Sequence, residues 1–227
     1  MLEQSDNSPQ TTICPNCQSE IQFEVVNVIT EGTDEVDKLY EGTLNQVACK
    51  GCENSFLFET PLLYRDDTSR SIIYYLPLAM TPGIAQAVET MRQLFDQSFG
   101  HLPPEEIPVC RLAVQRGQFI EKIAIHQFQY DDRVIEYIKY LLYQHNPGLD
   151  PIRHELLFDF GNSGDESIMF IAYDRETCKP EFALGFKTDD YTALQQSLFT
   201  DEAMGGEPDL LFQDFYVTVD DLLRDKD

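Results

Sequence analysis

Short runs of alternating apolar and polar residues predict β-strands in the first third of the chain. Residues 20–25 alternate as in a strand with one buried face, and residues 44–48, 55–60 and 70–76 are further strand candidates. The stretch of residues 30–40 is acidic and contains a glycine, which predicts a long loop or a short helix. The N-terminal part is therefore expected to consist of short strands joined by irregular segments.

The spacing of apolar residues becomes helical in the middle of the chain. Apolar residues recur three or four positions apart over residues 82–98, which predicts an amphipathic helix. Residues 109–113 predict a strand, and a helix is expected from about residue 118. A further helix begins where Asp131 or Asp132 can cap it.

In the C-terminal third the apolar period changes to two, which predicts an antiparallel sheet. The expected elements in chain order are strands over residues 155–160, 167–173 and 181–186, a helix over 189–199, a last strand over 212–219 and a helical turn over 220–224.

Two Cys-x-x-Cys pairs predict a metal site. Cys14 and Cys17 form the first pair and Cys49 and Cys52 the second. Two such pairs are typical of a four-thiolate zinc site, in which each pair turns two sulfur atoms toward one point. Four thiolates complete the tetrahedral shell of Zn²⁺ and leave no position for water or substrate. One structural zinc ion is therefore expected, rather than a catalytic one.

The alternatives to zinc are a redox dithiol and a disulfide. The two pairs are separated by 31 residues, which exceeds the ~15–20 residues of compact zinc modules. A redox Cys-x-x-Cys normally stands alone near a βαβ pattern, and the sequence has no such pattern. The paired motif favours zinc.

The chain is strongly acidic, with a formal net charge of −24 over 227 residues. Between Cys14 and Tyr64 there are nine acidic residues and two basic ones. Binding of phosphates requires clustered lysine and arginine, so the charge argues against direct binding of nucleic acid or of an anionic membrane. A basic partner protein and simple solubility are equally good explanations of the acidity.

The sequence shows no signal for secretion or for a membrane. Residues 1–12 contain no positive charge and no apolar run, so they do not resemble a signal peptide. The longest apolar stretch, residues 72–80, is too short to span a bilayer and contains Pro77. Because thiolate metal sites suit a reducing compartment, the cytoplasm is expected.

These patterns predict an α+β fold that begins with a zinc ribbon of short antiparallel strands. A small α+β domain with an antiparallel sheet follows the ribbon. The expected division is a disordered N-terminus over residues 1–12, the zinc ribbon over 13–64, a strand, helix and connector over 65–108, and the α+β domain over 109–227.

Several stretches of the chain, taken together, carry a family resemblance. They are Cys14-Pro15-Asn16-Cys17, Glu41-Gly42-Thr43-Leu44, the pair Cys49 and Cys52, Pro61-Leu62-Leu63-Tyr64-Arg65-Asp66, Phe119-Ile120-Glu121-Lys122-Ile123-Ala124-Ile125 and Asp131-Asp132-Arg133-Val134-Ile135-Glu136. In this combination they resemble the CpXC domain family, which is bacterial and archaeal. The resemblance covers roughly residues 13–145. It implies the zinc site and the layout but no activity. The chain departs from the family pattern at Lys50-Gly51, where a proline is usual, and at Glu53, where a glycine is usual.

Charged residues of the two middle helices form the main polar constellation outside the cysteines. Glu121-Lys122 and Asp131-Asp132-Arg133 are compatible with a carboxylate-rich pocket or a partner contact. The favoured interpretation is structural: Asp131 or Asp132 caps a helix, and the remaining charges lie on solvated faces as ion pairs.

The histidines follow no standard metal-ligand spacing. His145 and His154 flank Asp150 in a proline-containing stretch, where a surface loop is expected rather than a metal site. His126 is expected to be a partly buried structural residue within a helix.

The remaining candidates are two lone cysteines and a row of tyrosines. Cys110 and Cys178 are expected to be ordinary residues without a reactive role. Tyr137, Tyr140 and Tyr143 recur every three residues on one helix, and either a docking face or core packing explains them.

The sequence therefore predicts a zinc-stabilised adaptor that binds another protein, possibly a basic one, and that has no catalytic activity of its own. No catalytic motif is present. The alternative is an enzyme with a small-molecule site in the C-terminal domain, for which a deep pocket with perturbed titratable groups would be the sign. A zinc ribbon associated with nucleic acid is disfavoured, because the sequence shows no basic stripe.

Overall fold

The computed structural model describes residues 9–200, 212 and 214–224. The fold is α+β, as predicted, and it divides into two compact units between Ile120 and Glu121. The elements of the N-terminal unit are β1 (Pro9–Ile13), β2 (Glu20–Glu24), β3 (Val28–Thr30), α1 (Asp34–Tyr40), β4 (Gln46–Ala48), β5 (Ser55–Leu57), β6 (Leu62–Asp66), β7 (Ser71–Tyr75), α2 (Ile84–Phe99), β8 (Val109–Ala113) and α3 (Arg116–Gln127), which continues into the second unit.

Two small antiparallel hairpins carry the Cys-x-x-Cys pairs. Strand β1 pairs with β2 around the first pair, and β4 pairs with β5 around the second. The N-terminus was predicted to be disordered through residue 12, but residues 9–12 belong to β1. The β-branched residues Thr11, Thr12 and Ile13 favour an extended backbone, and strand β2 supplies the hydrogen-bonding partner.

A four-stranded mixed sheet forms the core of the N-terminal unit, in the order β3-β6-β7-β8. Strand β3 is parallel to β6, β6 is antiparallel to β7, and β7 is parallel to β8. All five residues of β7 are buried, which explains their continuous apolar run without alternation. The sheet takes strands from each of the predicted segments 13–64, 65–108 and 109–227.

The C-terminal unit contains the predicted antiparallel sheet, in the order β11-β10-β9. Its elements are α4 (Asp132–His145), β9 (His154–Phe158), β10 (Ser167–Asp174), β11 (Pro180–Lys187), α5 (Thr188–Thr200) and α6 (Val219–Arg224). Alternate residues of β9 and β10, such as Phe158 and Phe170, are buried and form the core of this unit. The apolar period of two in the sequence therefore corresponds to one buried sheet face.

The predicted last strand over residues 212–219 is wrong for the part of it that the structure describes. Residue 212 and residues 214–218 are not in a strand, and Val219 begins α6. The backbone here bonds to side chains instead of to a neighbouring strand. Lys122 Nζ donates to the carbonyl of Val217, and the N–H of Val219 donates to Glu136. These buried backbone groups therefore need no sheet partner.

Among the residues that the structure describes, no helix combines the length and the apolar character needed to cross a membrane.

Candidate metal centre

The first Cys-x-x-Cys pair lies in a tight turn between β1 and β2. The N–H of Cys14 donates to the carbonyl of Ser19 at 2.9 Å, and the N–H of Gln18 donates back to the carbonyl of Cys14 at 3.0 Å. Gln18 takes a left-handed backbone conformation with φ 62°. The turn brings Cys14 and Cys17 to the same side of the hairpin.

The second pair forms the same turn between β4 and β5. The N–H of Cys49 donates to the carbonyl of Asn54 at 2.8 Å, and the N–H of Glu53 donates to the carbonyl of Cys49 at 2.8 Å. Glu53 has φ 58°, as Gln18 does in the first turn. The departures from the family pattern at Lys50-Gly51 and Glu53 therefore leave the turn itself unchanged.

The four predicted ligands converge on one point. Their sulfur atoms all lie within 4.8 Å of one another. The shortest separations join the two hairpins: Cys14 Sγ lies 3.6 Å from Cys52 Sγ, and Cys17 Sγ lies 3.5 Å from Cys49 Sγ. All four are free cysteines, so the disulfide alternative does not describe this structure. Among the described residues, this is the one group of Cys, His, Asp or Glu that could hold a metal ion.

Ser19 links the two turns through its hydroxyl group. Its Oγ lies 3.1 Å from Cys17 Sγ and 3.2 Å from Cys49 Sγ. The hydrogen bond from Ser19, aided by the N–H of Gly51, lowers the pKa of Cys49 to about 6. Ser19 also lowers the pKa of Cys17. Two of the four thiols are thus prepared for the thiolate form that metals bind.

Cys14 differs from these two thiols. The N–H of Cys17 favours its thiolate, but burial and the neighbouring thiols outweigh that effect and raise the pKa of Cys14 to about 11. A metal ion bound by the cluster would deprotonate this thiol as well, because coordination favours the thiolate more strongly than burial and the neighbouring thiols oppose it.

We expect Ser19→Ala to weaken metal binding about 10- to 100-fold, as is usual when a hydrogen bond to a ligand atom is lost. The measurement is competition with a chelator of known affinity, under reducing conditions. Ser55→Ala is the matched control, because Ser55 lies in the other hairpin and its hydroxyl faces the carbonyl of Val47 rather than a sulfur. Equal affinities of the two variants would contradict the role of Ser19, which no sequence motif had indicated.

We expect Glu53→Gly to stabilise the metal-bound protein by about 1 kcal/mol, because a left-handed conformation costs a residue with a Cβ about that much. The measurement is chemical denaturation of the N-terminal unit. Glu53→Ala is the control: it removes the same charge next to the thiolates but keeps the Cβ. A gain of equal size in both variants would mean that charge, and not the backbone, is the cause.

The histidines and Asp150 do not form a second cluster. His145 is exposed at the end of α4, and its Nδ1 lies 2.7 Å from the carbonyl of Leu141. The predicted surface loop is wrong for His154, which begins β9 and is buried. Its Nδ1 accepts from the N–H of Asp150, and its Nε2 lies 2.9 Å from Glu181. Both ring nitrogens are therefore used within the fold. His126 is half-buried in α3, as expected.

The charged residues of α3 and α4 are not on solvated faces. Glu121, Lys122 and Glu136 are each 4% exposed, and Lys139 is 2% exposed. Lys139 Nζ lies 2.8 Å from both Glu121 and Glu136, and Lys122 Nζ lies 3.1 Å from Asp132. The helical spacing of apolar residues could not predict that these charged residues are buried, because they are stabilised in the core by ion pairs and not by apolar contacts.

The predicted cap of α4 is confirmed for Asp131. Its Oδ1 accepts from the N–H of Arg133 at 2.9 Å, and its Oδ2 lies 2.8 Å from the guanidinium group of the same residue. Asp131 therefore caps the helix and pairs with Arg133, as the structural interpretation of this constellation expected.

The tyrosine row of α4 belongs partly to the core. Tyr143 is buried, and its hydroxyl donates to the carbonyl of His154 and accepts from the N–H of Leu156. Tyr137 and Tyr140 are half-buried and contact each other, with ring centroids 5.8 Å apart. The row is thus divided between the core and the surface.

The two lone cysteines lie apart from the thiol cluster. Cys110 is buried in β8, and burial raises the pKa of its thiol to about 12. Cys178 is exposed in the turn before β11. Neither thiol is among the four that converge.

The fold and the site define an α+β protein with two thiol-bearing hairpins that can hold a metal ion. The chain belongs to the CpXC family: the family model described as CpXC protein matches residues 12–139. Searches of curated proteins and of solved structures found no match.

Proposed function

We propose that the four cysteines hold one structural Zn²⁺ ion and that the protein acts as a non-catalytic adaptor that binds another protein. The observation that carries the proposal is the convergence of Cys14, Cys17, Cys49 and Cys52 from two hairpins. The function rests on this site, since a ribbon stabilised by a closed metal shell offers a surface rather than an open coordination position.

The separations between the sulfur atoms support zinc as the metal. A zinc–thiolate bond of about 2.3 Å implies a tetrahedron with edges of about 3.8 Å. The two cross-hairpin separations, 3.6 Å and 3.5 Å, are close to that edge. Four soft thiolate ligands favour zinc over hard divalent ions, and they suit a reducing compartment such as the cytoplasm.

The surface of the hairpins supports a protein partner. Ile13, at the end of β1 and next to the first Cys-x-x-Cys turn, is 53% exposed although it is a large apolar residue. The net charge of −24 opposes nucleic acid and anionic membranes and favours a partner with basic residues around an apolar contact. Ile13 is therefore the proposed centre of the docking surface.

The test compares two charge substitutions on one face of β1. Ile13→Glu removes the exposed apolar residue, and Thr11→Glu adds the same charge two residues away, on the same face of the strand, where the side chain is also exposed. Both variants and the wild type are purified from the cells of origin, and native mass spectrometry counts zinc and bound protein on each.

We expect one zinc ion on all three chains, and a stoichiometric partner on the wild type and on Thr11→Glu but not on Ile13→Glu. Absence of zinc would overturn the metal assignment. A zinc-loaded wild type without a stoichiometric partner would overturn the adaptor assignment, and equal recovery of a partner by both variants would overturn the placement at Ile13.

A further inference from the structure

The two edges of the C-terminal sheet differ in their hydrogen-bonding partners. At the β9 edge, the outward N–H groups are bonded by side chains of α3 and α4: Tyr143 accepts from Leu156, and Glu121 accepts from Phe158. Strand β11 forms the other edge, and among the described residues no strand pairs with its outer side. An open edge of this kind is a template for pairing with another strand.

The ladder between β10 and β11 shows which residues of β11 point outward. The N–H of Thr188 donates to the carbonyl of Glu166, which continues the register of β10 and β11. Bonded pairs alternate in an antiparallel ladder, so the amides of Phe182, Leu184 and Phe186 point toward β10. Ala183, Gly185 and Lys187 therefore direct their N–H and carbonyl groups to the free edge.

In the part of the chain that the structure describes, the apolar face of the sheet is less covered at this edge than at its centre. The inward residues of β9 and β10 are almost fully buried, as Phe158 at 3% and Phe170 at 0% exposure show. Their neighbours on β11, namely Phe182, Leu184 and Phe186, are only half-buried. A strand added beside β11 would complete their burial.

The sequence of β11 is complementary to itself when its direction is reversed. In the run Glu-Phe-Ala-Leu-Gly-Phe-Lys, which begins at Glu181 and ends at Lys187, reversal about Leu184 places Phe opposite Phe and Ala opposite Gly. It also places Glu181, whose carboxylate already lies beside Arg153 and His154, next to Lys187 of the other strand. The outward residues Ala183 and Gly185 meet as a hydrogen-bonded pair in this register, so backbone and side chains require the same alignment.

We propose that β11 pairs with β11 of a second copy of the chain, antiparallel about a two-fold axis at Leu184, so that two three-stranded sheets become one continuous sheet. Of the known devices that block an edge, Pro180 and the register shift beside Tyr173 lie at its start, and a charged residue, Lys187, lies at its end. From Phe182 to Lys187 the ladder is regular. An isologous contact of this kind is the commonest symmetry among soluble oligomers.

The net charge of −24 on each chain opposes the association at long range. The test is therefore made at about 0.15 M salt, where the Debye length of about 8 Å screens distant charges. Sedimentation equilibrium of the full, zinc-loaded chain then reports whether the mass is the 26.1 kDa of one chain or twice that value.

Ala183→Pro is the first variant, because proline removes an outward N–H and leaves the bonds to β10 intact. Ala183→Ser keeps the N–H and is its control. We expect the wild type and Ala183→Ser to form dimers at about 100 µM, a concentration above the micromolar Kd of weak interfaces, and Ala183→Pro to be a folded monomer. A monomeric wild type, or a dimeric Ala183→Pro, would overturn the proposal.

Lys187→Glu decides the matter if Ala183→Pro does not fold. It places like charges beside each other twice across the two-fold axis, so we expect the dimer to be roughly tenfold weaker. Lys38→Glu makes the same change in net charge at an exposed position of the other unit. Equal weakening by both substitutions would overturn the pairing at β11, whereas a selective effect of Lys187→Glu supports it. Zinc content is unaffected in either case, so failure here is distinct from failure of the proposed function.

Discussion

Cys49→Ser/Cys52→Ser should abolish metal binding and unfold both hairpins of the N-terminal unit while the C-terminal sheet stays protected. The substitution removes half of the thiolates that join β1–β2 to β4–β5. Each hairpin has only two strands, and a two-stranded hairpin is marginal at best on its own in water. Zinc binding supplies about 10–16 kcal/mol in peptides of comparable size, far more than any other contact between these hairpins.

Among the described residues, the contacts that would remain between the two hairpins are small. Asn45 bonds both backbone groups of Val26 through its amide, and Phe23 packs edge-on against Phe58 with ring centroids 4.8 Å apart. Such contacts contribute about 1 kcal/mol each. They do not offset the conformational entropy of ordering two hairpins.

Hydrogen exchange read by mass spectrometry tests this expectation. Residues 9–24 and 46–57 should exchange within seconds in the double variant or after chelation, while β9, β10 and β11 keep their protection. Cys178→Ser is the control, since it removes an exposed thiol that does not belong to the cluster. Hairpins that stay protected from exchange without metal would show that metal binding is not needed to stabilise them.

The sequence was sufficient for features whose signal is local. The two Cys-x-x-Cys turns follow from the spacing of four cysteines, and β8 has the predicted bounds, Val109–Ala113. The three strands of the C-terminal sheet follow from their period of two. In each case a few adjacent residues determine the backbone, so no knowledge of distant partners is needed.

Features that depend on distant partners could not be predicted from the sequence. Strand β3 is three residues long and pairs in parallel with β6, and no local pattern reports such a pairing. Glu121, Lys122 and Glu136 carry the residue types of a solvated helix face, yet they lie inside, where Lys139 pairs with the two glutamates, Asp132 pairs with Lys122, and backbone groups complete their hydrogen bonds. A buried charge is recognised only once its partners are placed, and some of them, such as Lys139 for Glu121, are remote in the sequence.

Lys139→Met should destabilise the C-terminal unit by about 3–5 kcal/mol, which is the usual cost of removing one partner from a buried ion pair. Methionine keeps much of the volume of lysine, so the main change is electrostatic. The cation lies 2.8 Å from both Glu121 and Glu136. Without it, two buried carboxylates face each other with no positive charge between them.

The same substitution should make the stability depend on pH. Burial raises the pKa of Glu121, although Lys139 and the N–H of Phe158 favour its ionised form. Loss of Lys139 raises that pKa further. A carboxyl group whose pKa is higher in the folded state contributes stability that is present below its unfolded pKa and lost as pH rises through the folded value. The deficit of the variant should therefore be largest near neutral pH and shrink as pH falls toward the ordinary value of 4.5.

Urea denaturation across pH, followed by a probe in the C-terminal unit, measures both effects. Lys179→Met removes an exposed lysine of the same unit and should change stability by no more than about 0.5 kcal/mol. Adding Glu121→Gln to Lys139→Met should restore part of the loss, because glutamine removes one stranded charge and can still accept from Phe158. A pH-independent deficit that Glu121→Gln does not relieve would mean that Lys139 acts through packing. In that case the hydrogen bond from the N–H of Val219 to Glu136 would not depend on the positive charge of Lys139.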